Sequence, residues 1–162
     1  MATYKEIKGV TIQTLSEDPV QNVGTWASAP SINTARFQTA GAGAQTAAYI
    51  VGGSVSGGPG ISATHEQFDG SSWTEVGDLG TANYAVATFG TTSSAVSAGG
   101  YDGAYENDVY IWNGSSWTSG TALNTIRAYS GASGITTAGI VYGGSTPPNT
   151  GATETFNGSS WT

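Results

Sequence analysis

The chain has 162 residues, 25 of them glycine, no cysteine, 9% charged side chains and a formal net charge of −7. A polyanion needs several cations along a track, and beyond residue 10 the only basic residues are Arg36 and Arg127, so neither nucleic acid nor an anionic membrane surface is an expected partner. The missing cysteine removes disulfides, thiolate metal sites and a thiol nucleophile, and low charge with regular aromatics is not the composition of a disordered chain.

The first 26 residues, MATYKEIKGVTIQTLSEDPVQNVGTW, are polar from the start. They lack the continuous apolar segment of a signal peptide and read as a leader that ends in a spare outer strand at Trp26. From residue 27 the predicted elements are short strands: FQTAGAG, then TAAYIVGG running into Gly52-Gly53, a loop SVSGGPGISA (54–63), THEQF, an Asp69-Gly70 turn and SSWT. The same order follows a link EVGDLGTA (75–82): YAVATFG, SSAVSAGG, a loop YDGAYEN (101–107), DVYIW, Asn113-Gly114 and SSWT. It recurs as AYSGASG, TTAGIVYGG, a loop STPPNTGA (145–152), TETF, Asn157-Gly158 and SSWT. Asp-Gly and Asn-Gly between such segments predict two-residue type I′ hairpins, whose central residues both need positive φ.

Trp73, Trp117 and Trp161 are spaced by 44 residues, and Gly-Gly pairs precede them at 52–53, 99–100 and 143–144, the first repeat carrying three extra residues between its pair and its Trp. The chain is therefore predicted to be all-β, with three repeats at 27–74, 75–118 and 119–162. Four antiparallel strands in each make it a β-propeller of three four-stranded blades.

These residues resemble the Kelch repeat, over the whole of residues 27–162. Its pattern has an Arg near the start of the first strand, a double glycine after the second, an aromatic on the third and a Trp a few residues on. Here these are Arg36, Gly52-Gly53, Phe68 and Trp73; Asn83, Gly99-Gly100, Trp112 and Trp117; and Arg127, Gly143-Gly144, Phe156 and Trp161. Asn83 departs from the pattern. In composition the chain is also similar to Kelch-like proteins of tailed-phage virions, which implies a virion or extracellular setting.

Comparing the repeats with one another predicts two ion pairs. Two residues before each third-strand aromatic stand Glu66, Tyr110 and Glu154. Glu occurs where the first-strand position is Arg36 or Arg127, and Tyr occurs where that position is Asn83. A buried charge without its partner is costly, so Arg36–Glu66 and Arg127–Glu154 are expected to pair and to be lost together.

No catalytic residue is expected. His65 is the one histidine and sits on a predicted strand without a motif, and the serines of the SSWT phrases have no G-x-S-x-G elbow and no base. Asp102, Glu106 and Asp108 could offer oxygen to Ca²⁺, but they lack the DxDxDG spacing and read as solvated acids, so no metal and no cofactor are expected. Asn113-Gly-Ser and Asn157-Gly-Ser match the glycosylation pattern, but the turns already explain them. Trp73, Trp117 and Trp161 are expected to pack between blades rather than to stack on sugar. The loops that differ between repeats are the place for recognition, and Tyr101, Asp102 and Tyr105 form the candidate ligand-binding set, because Tyr offers contact area at low entropic cost. The reading is thus a non-enzymatic module that binds carbohydrate or protein through one loop face. A purely architectural role is the alternative, and a propeller hydrolase or oxidase ranks last. Three blades are too few for an ordinary ring, so a homodimer completing six is the expected assembly.

Overall fold

The computed structural model describes residues 26–55 and 60–162, and these contain strands and turns but no helix. Thirteen strands follow one another along the described residues: β1 (Ala40–Ala44), β2 (Ala47–Val51), β3 (Ser54–Val55), β4 (Gly60–Ile61), β5 (His65–Phe68), β6 (Trp73–Glu75), β7 (Ala87–Thr91), β8 (Ser94–Tyr101), β9 (Tyr105–Trp112), β10 (Trp117–Ser119), β11 (Gly131–Ile135), β12 (Ala138–Tyr142) and β13 (Thr153–Phe156). They form antiparallel sheets in three units, ordered β1-β2-β5-β6, β7-β8-β9-β10 and β11-β12-β13, with β3-β4 as a separate ribbon. In the third unit the fourth strand is a single bridge, Phe156 to Trp161. β7 packs against both β1 and β11, so the second unit lies between the other two. Most of the leader lies outside the described residues. Trp26 itself is fully exposed and belongs to no strand, so no spare outer strand is present at that residue.

The hairpin turns differ from the expected type I′. The paired residues are Phe68 with Trp73, Trp112 with Trp117, and Phe156 with Trp161, leaving four residues in each loop. Only the glycine has positive φ, 96° at Gly70, 97° at Gly114 and 98° at Gly158. The preceding Asp or Asn keeps an ordinary φ because its side chain holds the turn. Asp69 Oδ1 accepts from the Ser71 and Ser72 amides at 2.8 Å each, Asn113 Oδ1 from Ser115 and Ser116 at 3.0 Å, and Asn157 Oδ1 from Ser159 and Ser160 at 3.0 and 2.9 Å. The double serine therefore belongs to the loop, and the last strand begins at Trp.

Two apolar cores lie at the seams between units. Tyr49 and Val51 of the first unit pack with Leu79, Val86, Ala95 and Trp112 of the second. Ala87, Phe89, Val96, Ala98 and Val109 of the second pack with Leu123, Val141, Phe156 and Trp161 of the third. Tyr49 carries its hydroxyl across the first seam, donating to the Phe89 carbonyl at 3.0 Å and lying 2.7 Å from Thr88 Oγ1. Burial pushes that phenol up to about 12, and burying such a ring is worth about 2–3 kcal/mol.

Backbone hydrogen bonds cross the seams in a repeating set. At the first, Ala85 N–H donates to Gln38 O (3.0 Å), Gly53 N–H to Asn83 O (2.9 Å), Asn83 N–H to Ser62 O (3.1 Å) and Leu79 N–H to Ala63 O (3.0 Å). At the second, the equivalent residues do the same: Tyr129 to Ala85 (2.9 Å), Gly100 to Arg127 (2.8 Å), Arg127 to Glu106 (2.8 Å) and Leu123 to Asn107 (2.9 Å). This explains why the first strands start later than their sequence suggests. Gln38, Ala85 and Tyr129 each turn out of the strand with φ of 56°, 54° and 58° to make these bonds. It also explains the double glycine, since a Cβ on Gly52 or Gly99, both at φ 64°, would press into the Asn83 or Arg127 carbonyl of the next unit.

Candidate functional site

The loop predicted at 101–107 is mostly strand. β8 and β9 run on past a bulge between Ala98 and Gly100 until Tyr101 pairs with Tyr105, leaving Asp102–Ala104 as the turn. Gly103 (φ 134°) makes the tight reversal, and Asp102 Oδ1 accepts from the Ala104 amide at 3.3 Å. The extension survives because a second partner flanks it: Tyr84 and Tyr101 exchange backbone hydrogen bonds at 3.1 and 2.9 Å. The loop at 54–63 contains the β3–β4 ribbon, with residues 56–59 outside the described part.

This arrangement gathers four tyrosines at one end of the strands. The ring centroids are 5.3 Å apart for Tyr101–Tyr105, 5.4 Å for Tyr84–Tyr101 and 6.4 Å for Tyr84–Tyr129. The edge-to-face contact between Tyr101 and Tyr105 favours the pair beyond simple area burial. Tyr105 Oη lies 3.2 Å from Ser145 Oγ in the third unit, and Tyr129 Oη accepts from Gln38 Nε2 of the first at 3.3 Å. All three units thus contribute to one patch. Partial desolvation, and then Tyr129, raises the Tyr84 phenol above its ordinary value. Asp102 is exposed at the tip. Glu106 beside it is held above the usual carboxylate range by partial desolvation and by the neighbouring charges of Asp102 and Asp108. The patch can therefore offer ring faces, hydroxyls and a carboxylate.

Tyr84 and Tyr129 were not legible as members of this patch. Both fall in the predicted first strands YAVATFG and AYSGASG, and only the outward turn at Ala85 and Tyr129 places them at the strand end. At the opposite strand ends an open groove of about 500 Å³ passes Thr46, Gln67, Asp69 and Thr92; Asp69 is the one titratable side chain among its lining residues.

The residues expected to be structural are brought together as follows. Arg36 Nη2 lies 2.9 Å from Glu66 Oε1, and Arg127 Nη2 lies 2.6 Å from Glu154 Oε1, with both arginine side chains fully buried. Glu154 also accepts from the Asn124 and Thr125 amides at 2.7 and 3.1 Å, and Arg127 Nη1 donates to the Gly143 and Ala152 carbonyls at 3.2 and 2.8 Å. In the second unit Asn83 Nδ2 donates to the corresponding carbonyl, that of Gly99, at 3.2 Å. Tyr110 there turns its hydroxyl to Thr81 Oγ1 at 3.1 Å. Each of Trp73, Trp117 and Trp161 stacks on the third-strand aromatic of its own unit, with ring centroids 5.2, 5.4 and 4.8 Å apart. Trp117 and Trp161 also reach the preceding unit, at His65 and Phe89. Trp73 donates its indole N–H to the Pro30 carbonyl at 3.1 Å.

No protein-family model matches this sequence, and no curated protein sequence matches it. Among solved structures the chain is similar to that of YjhT, with a TM-score of 0.65 at 15% identity, over 77% of this chain and 43% of that one. The chain therefore spans less than half the length of that structure, and at this identity the likeness shows the fold alone: an all-β arrangement of antiparallel sheets.

Proposed function

We propose that the three units are blades of a Kelch-like β-propeller, and that the chain is a non-enzymatic binding module that takes carbohydrate or protein ligands at the tyrosine-lined strand end. Three features support the propeller: each unit is an antiparallel sheet in chain order, the first strands of successive units lie against one another, and repeat-equivalent atoms form each seam. The observation that carries the binding role is the cluster of Tyr84, Tyr101, Tyr105 and Tyr129, drawn from the second and third units and set on rigid strands. Tyr129 is exposed and the other three rings are half-buried; such rings with hydroxyls at their edges suit the apolar faces and polar rims of sugars, and equally those of protein surfaces.

A screen of the full chain against immobilised glycans tests the reading. Binding to a defined glycan class that falls at least tenfold in Tyr84→Ala and Tyr101→Ala, with the fold retained by circular dichroism, supports it. Binding unchanged by both substitutions overturns the site. The second reading, a purely architectural role, is favoured by the dense backbone bonding at the seams; it predicts no ligand on the array and no effect of either variant on assembly.

A further inference from the structure

We infer that a second copy of this chain closes the array, the third unit of each copy seating against the first unit of the other in two identical seams. The inference rests on the propeller reading. It specifies which atoms meet.

At both internal seams, four amides of one unit donate to, or accept from, fixed positions on its neighbour. The same positions at the two ends of the array are complementary, and among the described residues they are unused. Among the described residues, the N–H groups of Ile32 and Arg36, which correspond to Leu79 and Asn83, make no such bond. Neither does the N–H of Gln38, which corresponds to Ala85. Their expected acceptors, the carbonyls of Gly151, Thr150 and Tyr129, likewise accept none, and the pair formed by Gly144 N–H and the Arg36 carbonyl is open too. The donors lie mostly on the first unit and their acceptors on the third, so one chain carries both halves of the seam.

Side-chain exposure follows the same rule. Val51 and Ala98 face the next unit and are 0% and 2% exposed, while Tyr142 at the equivalent position is 47% exposed. Facing the preceding unit, Leu79 and Leu123 are buried where Ile32 is half-buried, and Trp112 and Phe156 are buried where Phe68 is half-buried. An apolar position that is covered at two seams and open at the third marks an interface. Arg36 agrees. Arg127, gripped by the second unit through its own backbone N–H and carbonyl, aligns its guanidinium with four acceptors. Arg36 has no such grip, and among the described residues its buried guanidinium contacts Glu66 without a single aligned hydrogen bond.

A second copy fits this seam and sets the count. Two chains of three units give six, within the range of about four to eight blades in known propellers, and three chains would give nine. Two-fold closure is also the commonest symmetry of soluble oligomers.

Light scattering on the full chain should give twice 16.3 kDa, with a compact ring in small-angle scattering. Gly143→Ala is the selective variant. Its Cβ is in open space within one chain, with only the Thr150 carbonyl at 3.8 Å, whereas at Gly99 the same change meets the next unit's carbonyl. Gly143→Ala should raise the dimer dissociation constant at least tenfold while each chain stays folded. Ile50 occupies in the first unit the position of Val141, which packs against the preceding unit, and is half-buried. Tyr142→Glu and Ile50→Lys should each weaken the dimer, and an equimolar mixture of the two should recover it, because the mixed dimer has one unaltered seam and one with opposite charges. A monomer at 100 μM, a larger oligomer, or a dimer indifferent to all three substitutions overturns the inference. If that monomer still scatters as three sheets around one axis, the propeller reading stands alone; three sheets stacked in a line would overturn both.

Discussion

The indole Nε1–H of Trp117 donates to Nδ1 of His65 at 3.1 Å across the seam between the first and second units. His65 is 0% exposed and lies edge-on to Tyr49 and Trp112, with centroids 5.7 and 4.6 Å away. Accepting at Nδ1 requires the tautomer protonated at Nε2, so the ring is neutral in the folded chain.

That neutrality makes the first seam sensitive to acid. Burial lowers the His65 pKa to about 4 from 6.5; the Gly77 backbone and then the nearby Asp78 charge oppose this shift, and Arg36 adds to it. The unfolded chain therefore takes up a proton below about 6.5 that the folded chain refuses until about 4. Stability is complete above this window and falls as pH drops through it, by about 3 kcal/mol. Urea midpoints at pH 7 and 4.5 check this, and His65→Gln should flatten the slope between them.

Removing one member of the Arg127–Glu154 pair should be far worse than replacing both. Glu154→Ala strands a fully buried guanidinium and should cost about 3–5 kcal/mol. The double change Arg127→Asn with Glu154→Tyr copies the arrangement at Asn83 and Tyr110 and should cost only about 1–2 kcal/mol. Equilibrium unfolding of the two singles and the double measures the coupling.

Ala85 pays for its left-handed conformation (φ 54°) with two inter-unit hydrogen bonds. Ala85→Gly relieves that strain but loosens the unfolded chain, so its net effect should stay within about 0.5 kcal/mol. Ala85→Val, β-branched at positive φ, should destabilise by about 2 kcal/mol or more. Thermal melts of the two variants should therefore diverge.

The turn at Asn113 should accept aspartate and reject alanine. Asp69, at the equivalent position, has its carboxyl lowered to about 2, first by hydrogen bonds from the Ser71 hydroxyl and amide and then by the Ser72 amide. Asn113→Asp should behave likewise, its contribution present above the ordinary carboxylate range and lost as pH falls towards 2, as an NMR titration would show. Asn113→Ala removes the acceptor for both serine amides and should cost about 1 kcal/mol.

Much of the fold was legible because its elements repeat in phase. The Gly-Gly pairs, the spacing of the tryptophans and the joint change of Arg-Glu to Asn-Tyr all report contacts that each repeat makes again. What the sequence hid depends on the neighbouring unit. The positive φ of Gln38, Ala85 and Tyr129 follows from bonds to another unit, and no residue type announces it. The tyrosine patch was half visible for the same reason: Tyr101 and Tyr105 are close in sequence, whereas Tyr84 and Tyr129 reach them only through that turn. The hairpin loops differ from the expected type because Asn-Gly is equally at home in a two-residue turn and in a longer loop capped by its own side chain.

The seam bonds from Ala85 to Gln38 and from Tyr129 to Ala85 run in one sense, from the amide of one unit to the carbonyl of the one before. The array therefore has polarity, like a filament with unlike tips. Inserting another copy of the middle unit would leave both tips chemically unchanged and equally able to receive a neighbour. Nothing in the seam chemistry counts units, so only the angle between successive sheets can bring growth to a halt.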